Sequence, residues 1–542
     1  MTRAILLEII LPGLLSSICA FAQTADLVVK DARIYTVNPK QPTASAIAVR
    51  EGKILAVGDD VNRYVGASTK VIDAKGAAVI PGLIDSHGHV RGLGDMLGSI
   101  DLRGLTSISA VERKVSEAAK TRKPGEWIIG LAWDQNLWAG KQFPDASEIS
   151  TAAPVNPVAL ERVDGHAVWA NRKAMEIADI NAGTPDPPGG KILRDEKGAP
   201  TGVFVDQAQQ LIRKKIPAAS AEQIEASLLR ATQLLARDGI TTVGDAGVQY
   251  EDIAGYRSLI REGKLPIRIY AMILYPLALP DKPEIGDYLT IRSLKIVADG
   301  ALGSRGAAMI EPYSDDPGNR GLVIRDRATI RAAAENALAK GFQVNTHAIG
   351  DLANRTALEA YGDVLEGPND KRFRIEHAQI VAPEDFAKFK QFSVIASMQA
   401  THATSDMLWA QDRIGPERIK GGYAWQTFLH LGVHVTNGSD FPVEDPNPLW
   451  GFYSAVTRQK QDGTPNGGWF PSQKMSREEA LRTWTIEGAY ATFEESRKGS
   501  LEPGKMADFI MLSRDIMTVP AAEIIRAHVT LTVVGGKIVF SE

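Results

Sequence analysis

The middle of the chain alternates between short apolar runs and longer segments with helical periodicity. Helical patterns occur, for example, at residues 221–239 and 327–341, and both end in glycine, a common helix stop. Eight strands alternating with helices predict a (β/α)8 TIM barrel of the α/β class. The eight apolar runs that predict these strands are residues 78–87, 240–246, 267–274, 293–299, 342–348, 373–379, 393–399 and 433–440.

The two ends of the chain have a different pattern, with short alternating runs separated by turns such as Glu-Gly-Lys at 51–53 and Gly-Gly at 535–536. Neither end is large enough to bury a core alone. We therefore predict one small β-sandwich domain composed of residues 23–80 and 498–542, joined to a barrel of residues 81–497. The first loop of the barrel, about residues 90–220, contains its own strand-like runs and predicts an inserted subdomain over the barrel mouth.

The first 22 residues are typical of an export signal. A positive start is followed by an apolar run that ends in Ala20-Phe21-Ala22, the small-x-small form of a signal-peptidase site. We expect residues 1–22 to be removed and the protein to be periplasmic or secreted, with an uncleaved anchor as the alternative because Glu8 interrupts the run. No later run is long enough for a membrane span. Cys19 is the only cysteine, so the mature chain would have no thiol for disulfides or metal binding.

Composition excludes some classes of function. The chain has 542 residues with 44% hydrophobic and 23% charged residues, which is ordinary for a globular protein. The net charge is −4, and the sequence contains no basic block or zinc-finger spacing. We therefore expect a small-molecule substrate and no nucleic-acid partner. The composition does not decide between a monomer and a homo-oligomer.

Polar side chains follow the predicted barrel strands where the strands end, and such ends meet at one face of a barrel. His87 and His89 are two residues apart, so they share one face of the first strand. Lys295 lies in an apolar strand, where a buried unpaired ammonium would cost several kcal/mol. The full set is His87, His89, Lys295, His347, His377 and Asp440. Taken singly, His347 fits a packed core residue, His377 a surface ion pair with Glu376, and Asp440 a helix cap.

Several motifs resemble the amidohydrolase superfamily, and within it the amidohydrolase-3 branch that contains N-substituted formamide deformylase. The motifs are PGLIDSHGH, LKIVADGALGSRGA, NTHAIGD, RIEHAQ, NGSDFPVEDPNP, GLAWDQNLW, VDGHAVWAN and SLEPGKMADFIML. This resemblance covers nearly the whole mature chain. It implies a distorted barrel with a β-sandwich made from both chain ends, and two divalent metal ions in the barrel mouth.

The resemblance also implies roles for individual residues. His87 and His89 would bind one ion and His347 and His377 the second, while a carboxylated Lys295 would bridge both. Asp440 would be a metal ligand and the general base. Five further residues would contact the substrate: His166, Gln399, His402, Trp133 and Asp134.

Because no thiol is available, these ligands suit Zn²⁺, with Mn²⁺, Fe²⁺ or Co²⁺ as alternatives. The expected reaction is hydrolysis of a C–N amide-type bond in an N-formyl or N-acyl compound by metal-activated water. Two other readings remain open. One is a cyclic amide or imide hydrolase or a one-metal deaminase on the same scaffold, although deaminase relatives lack a bridging lysine. The other is a non-catalytic ligand-binding or regulatory protein. Such a protein would be expected to lose one or more metal ligands, whereas this chain has the full set.

Overall fold

The computed structural model describes residues 24–163 and 165–542, so the predicted signal segment 1–22 and Cys19 lie outside the described residues. The strands are β1 Leu27–Lys30, β2 Arg33–Tyr35, β3 Thr43–Ala44, β4 Ala46–Arg50, β5 Lys53–Gly58, β6 Lys70–Asp73, β7 Ala78–Pro81, β8 Leu83–Gly88, β9 Ile100–Asp101, β10 Ile128–Trp133, β11 Val158–Arg162, β12 Ala167–Ala170, β13 Gly190–Arg194, β14 Pro200–Asp206, β15 Ile240–Val248, β16 Arg268–Leu274, β17 Glu284–Ile285, β18 Leu289–Val297, β19 Gln343–Ala348, β20 Arg374–His377, β21 Ile395–Met398, β22 Val435–Asn437, β23 Phe509–Leu512, β24 Val529–Val534 and β25 Lys537–Ser541. The helices are α1 Val90–Gly98, α2 Ile108–Thr121, α3 Ala146–Ala152, α4 Arg172–Ile177, α5 Gln209–Arg213, α6 Ala221–Arg237, α7 Tyr250–Arg261, α8 Arg327–Ala339, α9 Asp351–Gly362, α10 Phe386–Gln391, α11 Ala400–Asp406, α12 Ala410–Arg418, α13 Trp425–His430, α14 Pro448–Thr457, α15 Arg477–Thr483, α16 Ile486–Ala491 and α17 Ala521–Ile524.

Parallel strands form the predicted barrel in the order β8-β15-β16-β18-β19-β20-β21-β22. The loop after β22 meets β8 and nearly closes the ring. The Asp440 N–H donates to the His87 carbonyl oxygen at 2.8 Å, and the Ser439 hydroxyl donates to Asp85 Oδ2 at 2.7 Å. The α/β barrel expected from the alternating pattern is therefore confirmed.

Helix α6 illustrates how the barrel acquires its outer layer. Ser220 caps the helix start by accepting the Gln223 N–H, in a capping box. One face is buried at helical spacing through Ile224, Leu228 and Leu235, which pack against the sheet. Burial of each such leucine contributes roughly 1.5–3 kcal/mol. Truncation of Leu228 to alanine would therefore open a cavity and cost about 2–5 kcal/mol.

Strands from the two chain ends share one sheet beside the barrel, in the order β25-β24-β23-β7-β2-β3. Its central pair is β7 and β23, which run antiparallel with Val79 opposite Met511. A second sheet, β5-β4-β1-β6, packs on it. The core between them contains Ile47, Val79 and Phe509.

The apolar run predicted as a single strand at 78–87 is two strands that belong to different sheets. Its first part is β7 in the end sheet and its second part is β8 in the barrel. Gly82 separates them, at a point where an added Cβ would lie 2.3 Å from Thr241 Oγ1. The prediction of one strand over residues 78–87 is therefore wrong, because the run changes sheet at Gly82.

The segment between α1 and α6 has its own sheet, in the order β13-β14-β12-β11-β10-β9. Its core is aromatic, with Trp133, Trp138 and Trp169 packed together. Among the residues that the structure describes, no helix has the length and apolar character needed to cross a membrane.

Candidate metal centre

The first two histidines of the predicted set are each held through one ring nitrogen. His87 Nδ1 donates to the Glu376 carboxylate, and His89 Nδ1 donates to the Ala246 carbonyl oxygen at 2.7 Å. Because both acceptors are oxygens without protons, each Nδ1 carries the hydrogen. Both Nε2 atoms therefore keep a lone pair, and they lie 3.5 Å and 3.0 Å from Asp440 Oδ1.

Asp440 lies at the centre of the cluster. Its backbone has a φ of 60°, the left-handed region that aspartate tolerates better than most residues. Oδ1 is buried and makes no hydrogen bond within the described residues. Burial alone would raise the pKa of Asp440, but the hydrogen bond from His402 and the neighbouring imidazoles hold it well below its usual range. The carboxylate is therefore ionised.

His347 and His377 form the second predicted pair, with ring centroids 4.5 Å apart, and of the two only His377 belongs to a group of ligand atoms around Asp440. His377 Nδ1 donates to Gln399 Oε1 at 2.8 Å, and the His377 ring is 4.9 Å from that of His87. Burial lowers the pKa of His347 to about 3 and that of His377 well below its usual range. Both imidazoles are therefore neutral and can act as ligands.

Lys295 completes the predicted set. Its Nζ lies 3.0 Å from His87 Nε2, and the residue is only 4% exposed. No carboxylate oxygen of the described chain lies within salt-bridge distance of it. Burial lowers the pKa of Lys295 to about 8, which increases the neutral amine near physiological pH.

These residues fit a cation. His87, His89 and Asp440 offer ligand atoms within 4.8 Å of one another, and so do His377, His402 and Asp440. Neutral imidazoles next to a buried carboxylate oxygen without a hydrogen bond are the donor set that Zn²⁺ and similar ions prefer. The chemistry of the site therefore accommodates the metal that the sequence predicts.

His402 fits a cation less well than its position indicates. Nε2 lies 3.2 Å from Asp440 Oδ2 and Nδ1 lies 3.1 Å from Glu444 Oε1, so both nitrogens donate. Burial alone would lower the pKa of His402, but these two hydrogen bonds raise it to about 10. A doubly protonated ring has no lone pair, so His402 is a poorer ligand than its place in that group indicates. His347 lies in neither group and stays a predicted ligand.

The sequence interpretation missed Glu376 as a supporting residue. Glu376 is fully buried, and Arg374 Nε contacts its Oε1 at 2.7 Å. Burial raises the pKa of Glu376, but Arg374 and His87 outweigh that effect and lower it. The alternative of a surface pair between Glu376 and His377 is wrong. Strand alternation contained the signal, because Arg374 and Glu376 are two residues apart and share one face.

Three of the predicted substrate residues belong to the insertion. Trp133 was expected on a pocket wall, but it is fully buried in the core of the insertion, where its Nε1 donates to the Leu160 carbonyl oxygen at 2.8 Å. Asp134 Oδ1 accepts the Asn136 N–H at 2.9 Å and caps a short turn. The His166 side chain is 72% exposed, with Nδ1 2.8 Å from Asp206 Oδ1. The structure therefore places none of the three in the groups of ligand atoms around Asp440.

Comparison with known proteins shows the family. A model of the amidohydrolase family matches residues 70–540. The chain belongs to the amidohydrolase family. It is 35% identical to Protein LONG AFTER FAR-RED 3 of Arabidopsis thaliana, covering 95% of this chain and 91% of that protein. It is also 27% identical to N-substituted formamide deformylase of Arthrobacter pascens, covering 95% and 98% of the two chains.

Solved structures agree with this assignment. This amidohydrolase superposes on an uncharacterized metal-dependent hydrolase from Pyrococcus furiosus with a TM-score of 0.77 and 28% identity, covering 91% of this chain and all of the other. A metal-dependent hydrolase from Pyrococcus horikoshii gives a TM-score of 0.76. The amidohydrolase superfamily expected from the motifs is therefore confirmed, and the protein is a hydrolase of a metal-dependent family.

Proposed function

We propose that this amidohydrolase hydrolyses a C–N amide-type bond in a small N-formyl or N-acyl compound. The observation that carries the proposal is the Asp440 carboxylate, which lies among the imidazoles with Oδ1 buried and without a hydrogen bond. The similarity to N-substituted formamide deformylase supports the choice of an amide-type bond. The ligands would be His87, His89, Lys295, His347, His377 and Asp440.

Bound divalent ions would lower the pKa of a water molecule and polarise the substrate carbonyl. Asp440 would act as the general base that accepts a proton from the attacking water molecule. His402 bonds Oδ2 at 3.2 Å and thereby fixes the direction of the carboxylate. As the C–N bond breaks, Asp440 returns the proton to the leaving nitrogen, giving a carboxylate product and an amine.

The proposal includes carboxylation of Lys295. A neutral amine attacks carbon dioxide to give an anionic carbamate with loss of one proton, and the pKa of about 8 makes the neutral amine available. The carbamate then supplies oxygen ligands where the ammonium would repel a cation. We favour Zn²⁺ on the ligand chemistry, with Mn²⁺, Fe²⁺ or Co²⁺ as alternatives. Export to the periplasm or the medium belongs to the same proposal and rests on residues 1–22.

The test is a screen of metal-reconstituted protein against N-formyl amines, N-acyl amino acids, aryl amides and lactams, with the released amine measured. Asp440→Asn should lower turnover by about 10²–10⁴-fold because the proton acceptor is lost. Asp445→Asn, an exposed carboxylate in the same loop, is the matched control and should leave turnover unchanged. Absence of hydrolysis across the whole screen, or full turnover by Asp440→Asn, would contradict the proposal.

A further inference from the structure

Asp299 is a buried carboxylate to which the proposed chemistry gives no role. It follows the end of β18 by two residues and is 1% exposed. Its oxygens accept three backbone N–H groups, from Ile349 at 3.0 Å, Gly350 at 2.8 Å and Ala308 at 2.9 Å. One side chain therefore ties together the loops that follow β18 and β19.

Asp299 also faces a histidine of the metal centre. Its Oδ1 lies 3.5 Å from His347 Nε2, a buried nitrogen that has no hydrogen-bond partner in the described part of the chain. His347 precedes Ile349 by two residues, so the anchored backbone also carries the ring. At Gly350 an added Cβ would lie 2.0 Å from the Ala308 carbonyl oxygen, which shows how closely the two loops approach.

The other three histidines of the predicted ligand set show what such a contact does. His87 donates to Glu376, His89 to the Ala246 carbonyl oxygen, and His377 to Gln399. Each ring thus has one nitrogen bonded to a fixed oxygen and the other nitrogen left with a lone pair. Asp299 Oδ1, 3.5 Å from Nε2, is the acceptor oxygen in the corresponding position at His347.

We propose that Asp299 is a positioning residue for His347. The inference rests on the proposed metal-dependent function. With a cation bound, the carboxylate would accept from Nε2–H across the gap that is 3.5 Å in this structure, hold the ring at a fixed angle and leave the Nδ1 lone pair for the cation. Because outer carboxylates of this kind set ligand tautomer and orientation, their loss typically weakens metal affinity by about 10–100-fold.

The direct test is the Zn²⁺ affinity of Asp299→Asn, measured by competition with a chromogenic chelator. The expected result is Zn²⁺ binding weaker by about 10–100-fold. Asp385→Asn is the matched control, since Asp385 is equally buried but pairs with Arg355 and Lys388. It should lower the unfolding temperature and leave the Zn²⁺ affinity unchanged. Equal Zn²⁺ affinity of Asp299→Asn and the wild type would overturn the inference.

A double-variant cycle separates positioning from general structural support. If Asp299 acts through the ring, Asp299→Asn should have no further effect on Zn²⁺ affinity in a His347→Ala background. An equal loss in both backgrounds would overturn the inference. A wild-type protein that binds no Zn²⁺, Mn²⁺, Fe²⁺ or Co²⁺ would instead overturn the proposed function.

A measurement on the wild type keeps the test open if Asp299→Asn fails to fold. Long-range ¹H–¹⁵N correlation spectra of ¹⁵N-histidine-labelled protein, assigned with His347→Ala, report which ring nitrogen carries the proton. The Nε2–H form is expected for His347, and the Nδ1–H form would overturn the inference.

Discussion

Two buried lysines lie at opposite ends of the barrel. Lys498, at the amino end, is 3% exposed, and its Nζ lies 2.6 Å from Glu494 Oε2 and 3.1 Å from Thr242 Oγ1. Lys295, at the carboxyl end, is 4% exposed, and its Nζ lies 3.0 Å from His87 Nε2. Burial is the same in both places, but of the two only Lys498 has a carboxylate within salt-bridge distance in the described chain.

The surroundings of the two lysines differ in the same way. Near Lys498, Arg268 Nε and Nη2 contact the two oxygens of Asp508 at 2.8 Å and 2.9 Å, and this pair joins the barrel to the end sheet. Around Lys295 the direct contact is the His87 imidazole, and the carboxylates of Glu376 and Asp440 act on the lysine from beyond salt-bridge distance. Paired buried charges stabilise the fold. Buried ligand atoms without a partner destabilise it unless a bound cation satisfies them.

Replacement of Lys295 should give the largest effect on turnover. If Lys295 is the bridging ligand that we propose, Lys295→Met removes several kcal/mol of charge stabilisation, so amide hydrolysis should fall by a factor on the order of 10³. Unfolding of the chelator-treated variant in urea should show stability equal to or above that of the wild type, because an unpaired ammonium has been removed. A marked loss of stability would show that Lys295 is structural, like Lys498.

Replacement of Lys498 should give the opposite result. Lys498→Met removes the closer cation of buried Glu494 and leaves only Arg497 Nη1 at 3.9 Å, so the free energy of unfolding should fall by about 3–5 kcal/mol. Zn²⁺ affinity and turnover should be unchanged below the unfolding transition. The double variant with Glu494→Gln should recover much of the loss in urea titrations. If Lys498→Met were as stable as the wild type, Lys498 would not have the structural role that distinguishes it from Lys295.

The pH dependence of stability should also distinguish the lysines. In the folded, metal-free protein the pKa of Lys295 is about 8, against 10.5 for an ordinary lysine. Below pH 8 both states hold the proton, and the full cost of burying the ammonium is present. Between these pKa values only the unfolded chain still holds the proton, so the free energy of unfolding should rise with pH, by about 3 kcal/mol in all. Urea titrations of wild type and Lys295→Met should diverge over this range, and parallel curves would refute the assignment.

The smallest effect is expected at an exposed pair. The side chains of His166 and Asp206 are 72% and 52% exposed, so their contact is screened by solvent. His166→Ala should change the free energy of unfolding by less than about 0.5 kcal/mol. A larger change in urea titrations would show that this exposed ion pair contributes to the stability of the fold. At unchanged stability, a higher KM would report the substrate contact predicted for His166.

The barrel and the clustering of the six polar residues were predictable because parallel strands end at one face, so position along the chain determines position at the mouth. The break at Gly82 was not, since the apolar run continues across it and only contact with Thr241 marks the change of sheet. The sequence around Trp133 is the same whether its side chain packs in a core or lines a pocket, so it could not decide between the two. The roles of Asp299 and Glu376 depend on partners in separate loops and strands, which no local pattern reveals.

The pairing of β7 with β23 has a consequence for how the protein is made. The strand that leads into His87 leaves the ribosome before the whole barrel, while the segment that covers its edge follows the barrel. Until residues 509–512 emerge, β7 is an open edge, available to chaperones or to another chain. The sheet beside the candidate metal centre is therefore completed only after the barrel has been synthesised, which favours delivery of the ion after that point.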